Sequence, residues 1–259
     1  MSISKSLLIA VLFFSTTCKA QCNLVNDEKI SNPIKISESL YVVFGKAQLP
    51  EEGPSEENYQ IALSTYNCIT KKLIEFDRLH YLANPGRIAG ATFINNPSKS
   101  GEFLFIIQAT EISNTATGVN YSSDYYSVRA YRKHNLEFKL ENAQTNFFGA
   151  GGDIYDEKEN TTTYHFPYKD IATIKKIITT RDYFDLASGK TIKKEILQKT
   201  YLHAEPLESK NTKKYLVEGD LVELSDQTSG WCLAGYKNPR RGLIQGWINC
   251  QDIKNLFNN

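Results

Sequence analysis

Reactive and recognition side chains are densest near the end of this 259-residue chain, in YLVEGDLVELSDQTSGWCLAGYKNPRRGLIQGWINC, Tyr215 to Cys250. Trp231 and Trp247 each follow a glycine, Cys232 and Cys250 flank a Pro-Arg-Arg-Gly loop, and Tyr236 stands just before that loop. Three chemistries use such residues. A free thiolate is a nucleophile or a metal ligand. Aromatic rings beside guanidinium groups compose binding hot spots. Paired cysteines and glycine-tryptophan steps also build the core of a small β-domain. The cysteines have no CxxC spacing, so neither a zinc knuckle nor a thioredoxin-like redox pair is indicated.

Elsewhere the chemistry is sparser. FFGAGGD (Phe147 to Asp153) is the chain's glycine-rich loop, and its amides would suit a phosphate if a helix N-terminus followed. The acidic run IYDEKEN follows instead, so a turn joining two strands is the expected role. Asp153, Asp156, Glu157 and Glu159 are hard-cation ligands by type, but they lack the spacing and central glycine of a calcium loop and read as a solvated turn. His80, His134, His165 and His203 lie far apart, and no GxSxG elbow or HExxH run occurs. A carboxylate pair joined only by folding would leave no linear trace. No metal or cofactor is expected.

The elements that must position these residues read mostly as strands, because short apolar or alternating runs are punctuated by Gly, Pro and Asn. GEFLFIIQATEI (Gly101 to Ile112) has the unbroken apolar character of a central strand, with YYSVRAYRKH (Tyr125 to His134) as its neighbour across an exposed hairpin loop. Further strands are expected at Tyr59 to Ser64, Leu73 to Leu82 and Thr161 to Phe166. One helix is expected at Tyr168 to Ile178, where Ile171, Ile174 and Ile178 share a face and Pro167 sits near the start. Glu51 to Asn58 reads as a charged surface loop, and ASGK (Ala187 to Lys190) interrupts the pattern before a second unit.

Compartment follows from the first residues and the cysteines. Lys5, the apolar run Leu7 to Phe14 and small or polar residues to Ala20 have the layout of a secretory leader cleaved after Ala20. Cys22, Cys68, Cys232 and Cys250 would remain, an even number that in an oxidising compartment suggests two disulfides with three possible connectivities. A formal charge of +1 with interspersed acids and bases argues against nucleic acid as a partner. No stretch after the leader is long and apolar enough for stable membrane insertion.

A hairpin resolves the opening stretch further. Folded symmetrically about Arg241, WCLAGY and IQGWINC place Cys232 opposite Cys250 and Gly235 opposite Trp247. Cys232, Ala234, Ile248 and Cys250 then share one small apolar face, with Trp231, Leu233 and Trp247 on the other. That register predicts a Cys232–Cys250 bond and leaves Cys22 for Cys68. Trp231, Trp247, Tyr236, Arg240 and Arg241 become the candidate contact surface, with packing against the rest of the chain as the competing role for the tryptophans.

Lys214-Tyr215-Leu216, Gly219-Asp220, the alternating Val222 and Leu224, Gly230-Trp231 and Gly246-Trp247-Ile248 resemble the bacterial SH3-like domains of exported proteins, with Tyr201 to Pro206 matching their first strand. The resemblance covers roughly residues 199–256 and departs from the pattern at Cys232 and Cys250. It implies a small five- or six-stranded barrel used for binding cell-wall peptides or proteins, and no catalytic centre. More faintly, FFGAGGD and FPYKDIATIKKI resemble segments of exported bacterial domains for which no activity is implied. The expected organisation is a leader (1–20), an N-terminal β-rich (α+β) domain (21–190) and an SH3-like barrel (191–259), mainly β throughout. The expected function is that of an exported, non-catalytic binding protein for peptidoglycan peptide or a protein. The alternatives are an inhibitor or immunity protein against an exported cell-wall-degrading enzyme, and a cell-wall hydrolase with an N-terminal acid pair.

Overall fold

The strand predicted from GEFLFIIQATEI is the centre of the molecule. The computed structural model describes residues 30–49, 58–82, 84–95, 101–112, 118–207, 211–240 and 242–258. The expected leader, Cys22, Arg241 and most of the expected charged loop from Glu51 lie outside the described residues. A first group of strands is β1 (Ile34–Lys35), β2 (Leu40–Gln48), β3 (Tyr59–Asn67) and β4 (Lys72–Arg78). A second is β5 (Arg87–Asn95), β6 (Glu102–Thr110), β7 (Tyr125–His134) and β8 (Glu137–Leu140), followed by helix α1 (Asn142–Phe148) and β9 (Ala150–Gly151). The hairpin β10 (Ile154–Asp156) and β11 (Thr161–Tyr164) leads into α2 (Ile171–Ile178) and α3 (Arg181–Ala187). The chain closes with β12 (Ile192–Glu195), β13 (Thr200–His203), β14 (Asn211–Leu216), β15 (Leu221–Thr228), β16 (Trp231–Asn238) and β17 (Gly242–Asn249), then a 3-10 turn, Cys250–Asp252.

The protein is mainly β, with several antiparallel sheets. β1-β2-β3-β4 form one sheet in chain order, and β5-β6-β7-β8 form a second to which β9 adds beside β7. The third has the order β12-β15-β16-β17-β13-β14. β6 is buried along nearly its whole length because it has a core on each face. Leu104 and Ile106 point with Tyr131 and Phe138 into a cluster shared with Val42, Phe44, Ile61 and Leu63 of the first sheet. Phe103, Phe105 and Ile107 point the other way, into a cluster with Phe147, Phe148, Ile174 and Ile178 of the helices. Alternation of side chains along a strand requires apolar residues on both faces, which Phe103 to Ile107 supply, and buried Gln108 is satisfied by donating to His80 O and Pro85 O.

The second core does not stop at residue 190. It continues without a break into Leu202, Leu216, Val222, Leu224, Trp231, Cys232 and Ile248 of the third sheet. The expected boundary is therefore a chain punctuation and not a gap in packing: α3 ends at Ala187, Gly189 takes φ 75°, and β12 begins at Ile192. The predicted helix starts three residues later than expected, because Asp170 caps it by accepting from Thr173 N at 2.8 Å. Its buried face is Ile174, Ile177 and Ile178, with Ile171 half-buried at the rim. Sequence reasoning missed α1 and α3, each only seven residues long, too short for helical periodicity to declare itself.

Phe105 is fully buried and meets Phe148 edge-on at 5.6 Å. Phe105→Ala is expected to cost about 3–5 kcal/mol in urea unfolding, whereas Leu73→Ala, at a residue 59% exposed on β4, stays within about 0.5 kcal/mol. Equal small effects at both sites would mean that β6 is not the shared centre of the two cores.

Candidate functional site

The hairpin of the opening stretch forms, but about Arg240 and not Arg241. Asn238 pairs with Gly242, Leu233 with Trp247 and Cys232 with Ile248. The register differs from the expected one by two residues, an even number, so the predicted faces survive. Cys232, Ala234, Ile248 and Cys250 are all buried in the core. The Cys232–Cys250 disulfide is present with Cα atoms 5.2 Å apart, although the two residues are diagonal neighbours and not opposed ones. Cys250 lies opposite Gly230, to whose carbonyl its N–H donates at 2.9 Å, and the 3-10 turn that starts there brings it back over Cys232. Cys68 is also disulfide-bonded; its expected partner, Cys22, lies outside the described residues.

The tryptophan face is not the open surface that the alternation suggested. Trp231 is 3% exposed. Its ring stacks on Tyr164 of β11 at 5.2 Å and meets His203 edge-on at 4.8 Å. Trp247, half-buried, lies opposite Leu233 and opposite His203. Tyr236 is half-buried on the other face, where the Asp220 carboxylate holds its phenol above the ordinary range. Arg240 is exposed at the hairpin tip, far along the strands from Trp231. The structure thus brings the two tryptophans together around His203, and places Tyr236 and Arg240 elsewhere.

What fixes Trp231 is the turn before it. Ser229 N–H donates to Phe147 O (3.3 Å), Ala150 N–H donates to Ser229 Oγ (3.2 Å) and Thr228 Oγ1 donates to Asn146 O (2.8 Å). The Tyr164 hydroxyl donates to Ser229 O. Gln227, 4% exposed, completes the junction: its amide nitrogen donates to Phe147 O (2.7 Å), and its oxygen accepts from Gly230 N–H (3.0 Å) and Tyr168 OH (2.6 Å). Burial pushes the Tyr168 phenol far above its ordinary range, so it remains a donor. FFGAGGD is therefore neither a phosphate loop nor a turn between two strands. It is the end of α1 and the seat of the β15–β16 turn. Gly149 takes φ 60°, and a Cβ there would stand 2.1 Å from Ser229 Oγ.

Half-buried carboxylates of the N-terminal part act as ties. Asp77 accepts from Arg129 (2.8 Å) and from Tyr131 OH (2.7 Å). Asp153 accepts from Phe166 N–H (2.9 Å) and from Lys169. Asp182 pairs with Lys194 at 2.6 Å and accepts from Phe257 N–H at 3.1 Å. Asp156 closes its own turn by accepting from Lys158 and Glu159 N–H. Among the described residues, no three His, Cys, Asp or Glu side chains are grouped to hold a metal.

Beside the Trp231 stack lies a cleft of about 420 Å³, where Thr163 of β11 faces β13 and the end of β17. Sequence reasoning missed it, because its lining comes from four separated segments. Gln198, Tyr201, Trp231, Asn249, Gln251 and Asp252 form most of the wall. Such a site can grip a polar ligand through carboxamides and hydroxyls on a rigid aromatic frame. Comparison with protein-family models, curated proteins and solved structures finds no match for this chain.

Because Trp231 is a core residue, Trp231→Ala is expected to destabilise the fold by about 3–5 kcal/mol. Replacing Cys232 and Cys250 together by serine should cost about 2–4 kcal/mol. Thermal and urea unfolding read both. A Trp231→Ala protein of unchanged stability would return this ring to the list of exposed contact residues.

Proposed function

We propose that this chain is an exported, non-catalytic binding protein whose third sheet is an SH3-like unit, and that it holds cell-wall material in the cleft beside Trp231. Three observations support the SH3-like assignment. β15, β16 and β17 form a continuous meander, a one-turn 3-10 helix follows, and Ile253 then bridges back to Ile196. The Cys232–Cys250 bond suits an oxidising compartment. Among the described residues no helix is long and apolar enough to cross a membrane.

The observation that carries the binding role is the contrast between the cleft and the rest of the molecule. Asp77, Asp153 and Asp182 are engaged in internal ties, whereas Gln198, Tyr201 and Gln251 stand exposed along one cleft wall. A second reading, inhibition of an exported cell-wall-degrading enzyme, has its own support at the β16–β17 tip. There Lys237, Arg240 and Leu243 are exposed on a hairpin stapled at its base, and guanidinium groups suit a carboxylate-lined catalytic cleft.

Incubating the mature protein with isolated cell-wall sacculi and, separately, with periplasmic extract distinguishes the readings. The cleft reading expects sedimentation with sacculi, reduced about tenfold in a Gln198→Ala/Tyr201→Ala variant and unchanged by Arg240→Ala. Sacculi left unbound, alongside inhibition of a muramidase that Arg240→Ala abolishes, would replace it with the inhibitor reading.

A further inference from the structure

The hydrogen-bonding capacity left over in the cleft narrows the ligand. Gln198 donates through Nε2 to Asp252 Oδ1 at 2.6 Å, which leaves its carboxamide oxygen as an acceptor. Asn249 Oδ1 accepts from Gln251 N–H at 3.0 Å as the cap of the 3-10 turn. That contact fixes which end of the amide is nitrogen, and Asn249 Nδ2 has no hydrogen-bond partner among the described residues. The Gln251 nitrogen is directed at His165 O, at 3.4 Å, which leaves its oxygen as a second acceptor. Beyond these contacts the cleft presents the Asn249 amide nitrogen as a wholly unengaged donor group and two glutamine oxygens as acceptors.

Two formal charges border the cleft, Lys199 and Asp252, and each already has a contact within the protein. Asp252 is engaged by Gln198. The Lys199 ammonium lies over the rings of Tyr201 and Tyr215, 5.0 and 4.6 Å from their centroids. His203 is 5% exposed, and its Nδ1 is 2.9 Å from Leu207 O. A ligand carrying carboxylates or ammonium groups would lose hydration and share these two charges with the contacts they already make, a cost that a neutral amide does not meet. Tyr201, 40% exposed on the cleft rim, offers an apolar surface beside the amides.

Resting on the cell-wall reading above, we infer that the cleft's ligand is the neutral glycan strand, gripped at an N-acetyl group of an amino sugar, and not the charged peptide stem. The acetamido N–H would donate to a glutamine oxygen, its C=O would accept from Asn249 Nδ2, and the C–H face of the sugar ring would pack on Tyr201. Nothing covalent changes.

Isothermal titration of the full mature protein with the β-1,4 tetramer of N-acetylglucosamine tests this, beside three companion arms. These are the fully deacetylated tetramer, a synthetic pentapeptide stem with free carboxylates, and sacculi in a sedimentation assay. The acetylated tetramer is expected to bind saturably and the deacetylated one at least tenfold more weakly. Asn249→Asp keeps the oxygen that caps the turn and removes the donor. It is expected to weaken tetramer binding at least tenfold while leaving the melting temperature unchanged. Tyr201→Ala should weaken it similarly. Sacculi bound without any response to the tetramer, a stem peptide that binds more tightly than the tetramer, or an Asn249→Asp protein of undiminished affinity would each overturn the glycan assignment while leaving wall binding intact. Failure of all four materials to bind would remove the cell-wall reading itself.

Discussion

The seating of the β15–β16 turn on the end of α1 is the contact on which the rest depends. Four residues, Gln227 to Gly230, meet Asn146, Phe147, Ala150, Tyr164 and Tyr168 through hydrogen bonds that leave little freedom to either side. The fit requires missing side chains at two places. Gly149 carries a positive φ and has Ser229 where a Cβ would be, and Gly230, also at positive φ, is pressed against Tyr164 and Pro167. Buried polar groups of this kind are costly when half-satisfied, so the junction is formed as a unit or not at all. From it follow the position of Trp231, the stack on Tyr164 and the continuity of the core from β6 to β17.

The cleft is a by-product of that junction. Thr163 stands beside Tyr164, and the Trp231 ring reaches the cleft wall from the core side. Neither the N-terminal part nor the third sheet alone supplies the whole lining. Rigidity comes without dedicated residues, because the frame is already packed. Two carboxylates of the N-terminal part are engaged inside the protein: Asp77 holds two residues of β7, and Asp182 anchors Lys194 and the backbone of Phe257.

Much of the fold was legible where one local rule decides. Continuous apolar character marked β6, and β7 occupies the span Tyr125–His134 that its alternation indicated. The disulfide emerged from an approximate register, since a slip of two residues preserves every face. The loop centre was misjudged because two adjacent arginines give no turn signal of their own, while Gly242 at φ 73° sets the actual closure. Hydrophobic size and alternation could not reveal that Trp231 is buried. Its partner Tyr164 is 67 positions away in sequence, and only the turn between β15 and β16 brings the two together. The cleft was invisible for the same reason: carboxamides from residues 198, 249 and 251 carry no motif.

Both tryptophans of the chain belong to the third sheet, whereas far-UV circular dichroism reports on every sheet. Urea unfolding followed by both signals therefore tests most directly whether the β15–β16 seat joins the third sheet to the rest. The account predicts a single transition with the same midpoint and slope by tryptophan fluorescence and by circular dichroism. A tryptophan transition that is complete while most of the far-UV signal persists would contradict it, and would show the third sheet to be a separately folding unit resting on its neighbour.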